Sequence, residues 1–141
     1  MSCRAGYRIN VILDDHSYQV SRAEISKVAC FVLKAEGFPD AEVNVVFTGD
    51  SAIRKLSREY FGKDSVTDVI SFSFNDDLLG ETYICLPQAR RQARKIGVSI
   101  GMEVQRLLIH GLLHLVGYDH TRGERSKMFT KQENYLKAVS L

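Results

Sequence analysis

The chain has 141 residues, 45% of them apolar and 26% charged, with a net charge of +2 and a sequence pI near 8.5. That is room for one compact domain with a hydrophobic core, spanning 1–141, and a charge balance too mild to make the whole surface a polyanion receptor. No apolar run approaches the roughly 20 residues that span a bilayer, and no signal-peptide core opens the chain, so no membrane partner is expected and the cytoplasm is the expected compartment. Cys3, Cys30 and Cys85 are odd in number, widely spread and without a CxxC pair. This fits reduced thiols better than a disulfide framework or a thiolate zinc site.

Tyr7 to Leu13 is rich in Ile and Val and reads as a first strand, closed by the turn Asp14-Asp15-His16. His16, isolated among polar residues, is a surface residue in this reading. Ser21 and Glu24 form a capping box ahead of a helix whose stripe is Ile25, Val28, Ala29, Val32 and Leu33. Gly37 to Asp40 breaks it. Val43 to Thr48 is a second strand, and Asp50 is placed to cap a helix with Ile53, Leu56 and Tyr60 inward and Arg54, Lys55 and Arg58 outward. Gly62 ends that helix. A polar loop from Lys63 to Asp68 leads to a third strand, Val69 to Phe74, and a short link leads to a fourth, Gly80 to Leu86. So short a link makes these two antiparallel neighbours.

Pro87 suits a helical first turn, and Gln88 to Ile96 carries Arg90, Arg91, Arg94 and Lys95 with no acid among them. Gly97 breaks it. The helix that follows, about Gly101 to Val116, is apolar over most of its surface, so it is buried on several sides. Thr121 and Glu124 make a second capping box, opening a last helix with Met128, Phe129, Gln132, Tyr135, Leu136 and Val139 on its packing face. The order predicts an α+β domain (α/β-like): a small mixed four-stranded sheet with about five helices against it. Two strand–helix–strand passages favour parallel pairing, with the later hairpin as an antiparallel edge.

The chemistry concentrates in His110-Gly-Leu-Leu-His114-Leu-Val-Gly117-Tyr-Asp119-His120, which holds three of the four histidines. His110 and His114 are one helical turn apart and share a face. Gly117 can end the helix with positive φ, letting a short loop return His120. Three imidazoles can hold one zinc ion with a fourth position open for water, whose pKa can fall to roughly 7; nickel, copper or iron also accept imidazoles. The zinc-protease motif HExxH needs a glutamate as base where this chain has Gly111, which lowers a peptidase reading. Glu103, two turns before His110, is placed to accept a proton from a ligand's second ring nitrogen, and Asp119 to orient the loop. Asp68 and Glu81 are weaker carboxylate candidates. If the Arg54/Lys55/Arg58/Lys63 and Arg90/Arg91/Arg94/Lys95 groups share the metal's face, they form a groove for a polyanion. Taken alone, either group is as readily a solvated helix face.

The motif HGLLHLVGYDH resembles that of the bacterial YbeY family of metal-dependent endoribonucleases. The likeness extends through Val66-Thr67-Asp68-Val69-Ile70-Ser71-Phe72, Leu79-Gly80-Glu81, Glu103, Met128-Phe129 and Gln132-Glu133. It implies a distantly zincin-like fold and a metal, usually zinc, on His110, His114 and His120, acting through the bound water. It also implies single-strand-specific or structure-tolerant cleavage of RNA, with a role in 16S rRNA 3′-end maturation and ribosome quality control. The implied partners are the 16S rRNA precursor, the small ribosomal subunit and a ribosome-associated GTPase, with no DNA. The chain departs from the family at Phe61, where an arginine associated with activity or RNA contact is usual. It departs also at Val66 and Ser73, where prolines are usual, and at Glu81, where aspartate is usual. Two other readings stand beside this one: a metal-dependent hydrolase of peptides or small molecules, and a non-catalytic ribosome-assembly factor with a structural metal.

Overall fold

The structure is a computed structural model that describes residues 6–74, 78–118 and 124–140. Its elements are β1 (Tyr7–Leu13), α1 (Arg22–Ala35), β2 (Ala41–Thr48), α2 (Asp50–Phe61), β3 (Val69–Ser73), β4 (Leu78–Cys85), α3 (Leu86–Ile96), α4 (Ile100–Leu115) and α5 (Glu124–Val139). Local sequence accounts for most boundaries. The Ser21 side chain accepts from the Glu24 amide to open α1 and Ser99 does the same for Met102 to open α4, each satisfying an amide the helix leaves unpaired. Pro87 lies in the first turn of α3. Gly49, not Asp50, is the N-cap of α2, and Asp50 is its first residue. The Thr121 capping box lies outside the described residues.

The four strands form one sheet in the order β1-β2-β4-β3. Parallel pairing joins β1 to β2 and β2 to β4, and β3 lies antiparallel to β4 at the edge. The antiparallel edge hairpin is as expected, but the second strand–helix–strand passage does not pair in parallel. After α2 the chain lays down β3 one position away from β2, and β4 fills the gap. A short link fixes which strand is the antiparallel neighbour; it does not fix which of the two lies inside.

One face of the sheet carries the main core. Val43, Val45, Phe47 and Ile84 meet Ile25, Val28, Val32 and Leu33 of α1 and Val104, Leu108, Leu112 and Leu115 of α4. The opposite face is covered by α2 over a small cluster of Ile53, Ile70 and Cys85, with Leu56, Phe72 and Tyr83 packed on it. Beyond α2 that face is polar: Asn10 donates to Asn44 at 2.8 Å, and Asn44 donates to Glu81 at 2.9 Å. Helix α5 packs on α4 and ties back to the end of α1, where Glu36 receives Lys131 at 3.0 Å and the Tyr135 hydroxyl. On α5, Met128, Gln132 and Leu136 are buried, whereas Phe129 is 62% exposed, so the packing stripe is narrower than expected. Tyr60, expected inward on α2, is likewise 62% exposed.

Among the described residues no single helix is long and apolar enough to cross a membrane. Helices α3 and α4 together have the length and composition, but they meet at 115° and α4 is the buried core helix. Cys85 is a free, buried thiol. Burial pushes the Cys85 thiol up to about 12, so at neutral pH it is protonated and inert as a nucleophile.

Candidate active site

His110 and His114 occupy the last two turns of α4, half-buried, their ring centroids 4.9 Å apart and inclined at 72°. Their placement follows from what α4 does on its other side. Gly111 faces the sheet, where a Cβ would stand 2.1 Å from Thr82 Oγ1 and 3.1 Å from Ser71 Oγ. The helix therefore lies closer to β3 and β4 than any side chain at 111 allows. The Ser71 hydroxyl is 3.1 Å from the Gly111 carbonyl and 3.0 Å from Thr82 Oγ1. One hydroxyl proton serves one acceptor, so Ser71 donates to the carbonyl while Thr82 donates to Ser71. Pinning residue 111 to the sheet turns 110 and 114 toward the flank of β3. The same contact removes the zinc-protease base on steric grounds, because a glutamate at 111 would be driven into Thr82.

Both histidines open into a cleft of about 800 Å³ along edge strand β3, lined also by Ser57, Phe61, Lys63, Asp68 and Ser71. Lys63 belongs to that lining, and the other seven expected phosphate contacts do not. Arg54 and Arg58 both engage Asp64, at 2.8 and 3.1 Å, and hold its carboxyl below the usual range. Lys55 lies 4.0 Å from Glu59, Arg91 pairs with Asp50 at 2.8 Å, and Arg90 donates to the Ser17 carbonyl at 2.6 Å. Arg94 and Lys95 are exposed. Asp68 reaches the cleft wall and accepts from the Val69 amide at 2.8 Å; Glu81 is engaged by Asn44 and Tyr83 across the sheet's polar face.

Among the described residues, Gln132 of α5 meets the His110 ring, its Oε1 2.7 Å from Nδ1. Composition gave no sign of it, since one glutamine on a packing face looks like any other. Gln132 is held in turn: its Nε2 donates to Glu133 at 3.0 Å, and Arg106 grips Glu133 at 3.0 Å and 3.3 Å. Burial pushes the Glu133 carboxyl up, but the bonds from Arg106 and Gln132 outweigh it and keep it below the usual range, hence ionised and an acceptor only. With its amide nitrogen committed to Glu133, Gln132 presents oxygen to His110. His110 must then carry its proton on Nδ1, which makes Nε2 the nitrogen that bears the ring's lone pair. Glu103 is 3% exposed and takes Gln92 at 2.8 Å and Arg106 at 2.7 Å. It therefore stands at the far end of the chain Glu103–Arg106–Glu133–Gln132–His110.

Two adjacent imidazoles on a rigid helix, one with its tautomer set for ligation by a buried network, fit a divalent transition metal. No group of three metal-binding side chains occurs among the described residues. His120, expected as the third ligand, and Asp119 lie outside them.

Comparison with known proteins bears on this arrangement. The model of the family described as Endoribonuclease YbeY matches residues 10–140. The chain is similar to the endoribonuclease YbeY of Aquifex aeolicus, 38% identical over 96% of this chain and 95% of that one. It is similar also to that of Bacillus licheniformis, 41% identical over 84% and 85%. Among solved structures, the solution structure of TM1509 from Thermotoga maritima superposes with a TM-score of 0.69 at 30% identity, covering 93% of this chain and 88% of that one.

Proposed function

This chain belongs to the endoribonuclease YbeY family, and from that premise we propose that it is a zinc-dependent endoribonuclease working in the cleft between α4 and β3. The observation that carries the reading is the His110–His114 pair opening into a cleft that also holds Lys63. His110, His114 and His120 would hold one ion per chain, and neutral imidazoles favour zinc. When bound, the ion supplies Lewis acidity at the scissile phosphate and makes water a usable nucleophile at neutral pH.

The chain's own residues do the rest. Gln132 holds the proton on His110 Nδ1. Glu103 acts at one remove through Arg106 and Glu133, and Asp119 would orient His120. Lys63 binds a phosphate beside the histidines, while Arg54, Lys55, Arg58, Arg90, Arg91, Arg94 and Lys95 supply attraction for flanking phosphates. The reading includes a single-domain protein acting in the cytoplasm on the 16S rRNA precursor near its 3′ end. Its partners are the small ribosomal subunit and a ribosome-associated GTPase, in rRNA maturation and quality control.

The steric exclusion of a base at Gly111 weighs against peptide hydrolysis. Incubating metal-quantified protein with a precursor 16S 3′ fragment and mapping the ends tests the reading. Wild type should give discrete new ends and His114→Ala none; cutting by metal-free protein would sink the metal-hydrolase idea. Absence of turnover on any such fragment would leave a non-catalytic assembly factor. A chimera with one 2′-deoxy linkage at the cut site separates the nucleophiles, since retained cutting identifies water.

A further inference from the structure

Phe61 is the last residue of α2 and is 54% exposed, yet it is not loose. Its ring lies nearly parallel to Phe72, with centroids 6.2 Å apart and planes 16° apart. Phe72 is braced edge-on by Tyr60 at 5.1 Å and by Tyr83 at 5.9 Å. One side of the Phe61 ring is therefore backed by an aromatic stack while the remainder is left to solvent in the cleft that His110 and His114 share. Directly after it, Gly62 adopts φ +66°, and the amides of Gly62 and Lys63 return to the Arg58 and Ser57 carbonyls, both at 3.2 Å. That closing turn fixes Phe61 and Lys63 relative to each other. The result is a supported aromatic face, a cation beside it, and the metal-ligating pair in the same groove.

We propose that Phe61 is a stacking platform for one unpaired base of the RNA substrate, with Lys63 taking an adjoining phosphate. The inference rests on the endoribonuclease reading and names the residues by which the cleft would hold an unpaired strand. A base offers its face to an aromatic ring only when it is unstacked from its neighbours, so the platform admits single strands, loops and ends and rejects continuous duplex. Stacking accepts any base, so this subsite confers strand selectivity with little sequence preference.

The test scans a single abasic position along a short single-stranded 2′-O-methyl oligoribonucleotide, with binding followed by fluorescence anisotropy and integrity by gel. On wild type, one position should cost about tenfold in affinity. Phe61→Leu, which keeps apolar bulk but loses the π face, should bind the intact strand about tenfold more weakly and be indifferent to that position. Phe61→Trp should keep the wild-type pattern, which separates stacking from a folding defect. On cleavable single-stranded RNA the Phe61→Leu loss should fall on KM rather than kcat. A Phe61→Leu protein with the wild-type abasic profile overturns the proposal. If wild type cuts and Phe61→Leu is indistinguishable from it, the stacking site alone has failed. If wild type shows the Phe61-dependent signature but never cuts, the stacking site stands and the endoribonuclease reading has failed.

Discussion

The two flanks of β3 differ as much as any two regions of the molecule. Toward α4, Ser71 and Thr82 meet Gly111 with no room for a methyl group. Toward α2, aromatic rings from Tyr60, Phe61, Phe72 and Tyr83 form an open cluster, two of them more than half exposed. A metal ligand must be held to a fraction of an ångström, which requires a close-packed flank. A polymer of varied sequence needs a surface that accepts many shapes, which the open flank provides. On the proposed reading, the edge strand divides reaction geometry from substrate recognition.

The largest effect expected from breaking this division comes from His114→Ala. Bound metal and RNA cleavage should both disappear while the urea midpoint stays near that of metal-free wild type, because the close-packed flank is untouched; metal analysis after dialysis decides it. Next, Gly111→Glu should destabilise the fold by about 3 kcal/mol, as overpacking a dry contact does. Urea melts would measure this, and an unchanged midpoint would mean that α4 can retreat from the sheet. Gly111→Ala combined with Thr82→Ala should cost less than the sum of the two, a coupling of about 0.5–3 kcal/mol. Gln132→Ala should weaken metal binding by about 10–100-fold in a chelator competition with the fold intact, since it frees the His110 ring to take either tautomer. The smallest effect belongs to the open flank. Lys63→Ala should lower the log–log salt slope of single-stranded RNA binding by about 0.7. Arg54→Ala, whose guanidinium already faces Asp64, should change the slope less.

Much of the architecture was legible because it is written in local chemistry. Ser21 opens its helix, Gly62 and Gly97 close theirs with positive φ, and the four-residue spacing of His110 and His114 sets both on one face; the Ser99 cap of α4 was not read from the sequence. What escaped is non-local. Nothing in β2, β3 or β4 taken singly says that β4 lies inside β3. Helical periodicity placed Phe129 on the packing face, but burial follows the narrower line Met128–Gln132–Leu136. Glu103 had the right spacing and charge to meet His110 directly, but Arg106, one turn along the same helix, takes its carboxylate. The contact to the ring comes instead from 22 residues further along the chain. Gly111 was readable as a missing base; that it is also the point of closest helix–sheet approach needed the fold.

That reach from Gln132 to His110 has a consequence in time. A chain is made from its N-terminus at about 5–20 residues per second, and its early elements can fold before the end appears. The sheet and α4 are complete by residue 115, but the glutamine that reaches His110 belongs to α5, which anchors to Glu36 through Lys131 and Tyr135. On the proposed reading the centre is therefore armed only after residue 132 has been made and α5 has docked. Until then a protein that cuts RNA stays unarmed beside the RNA of the ribosome.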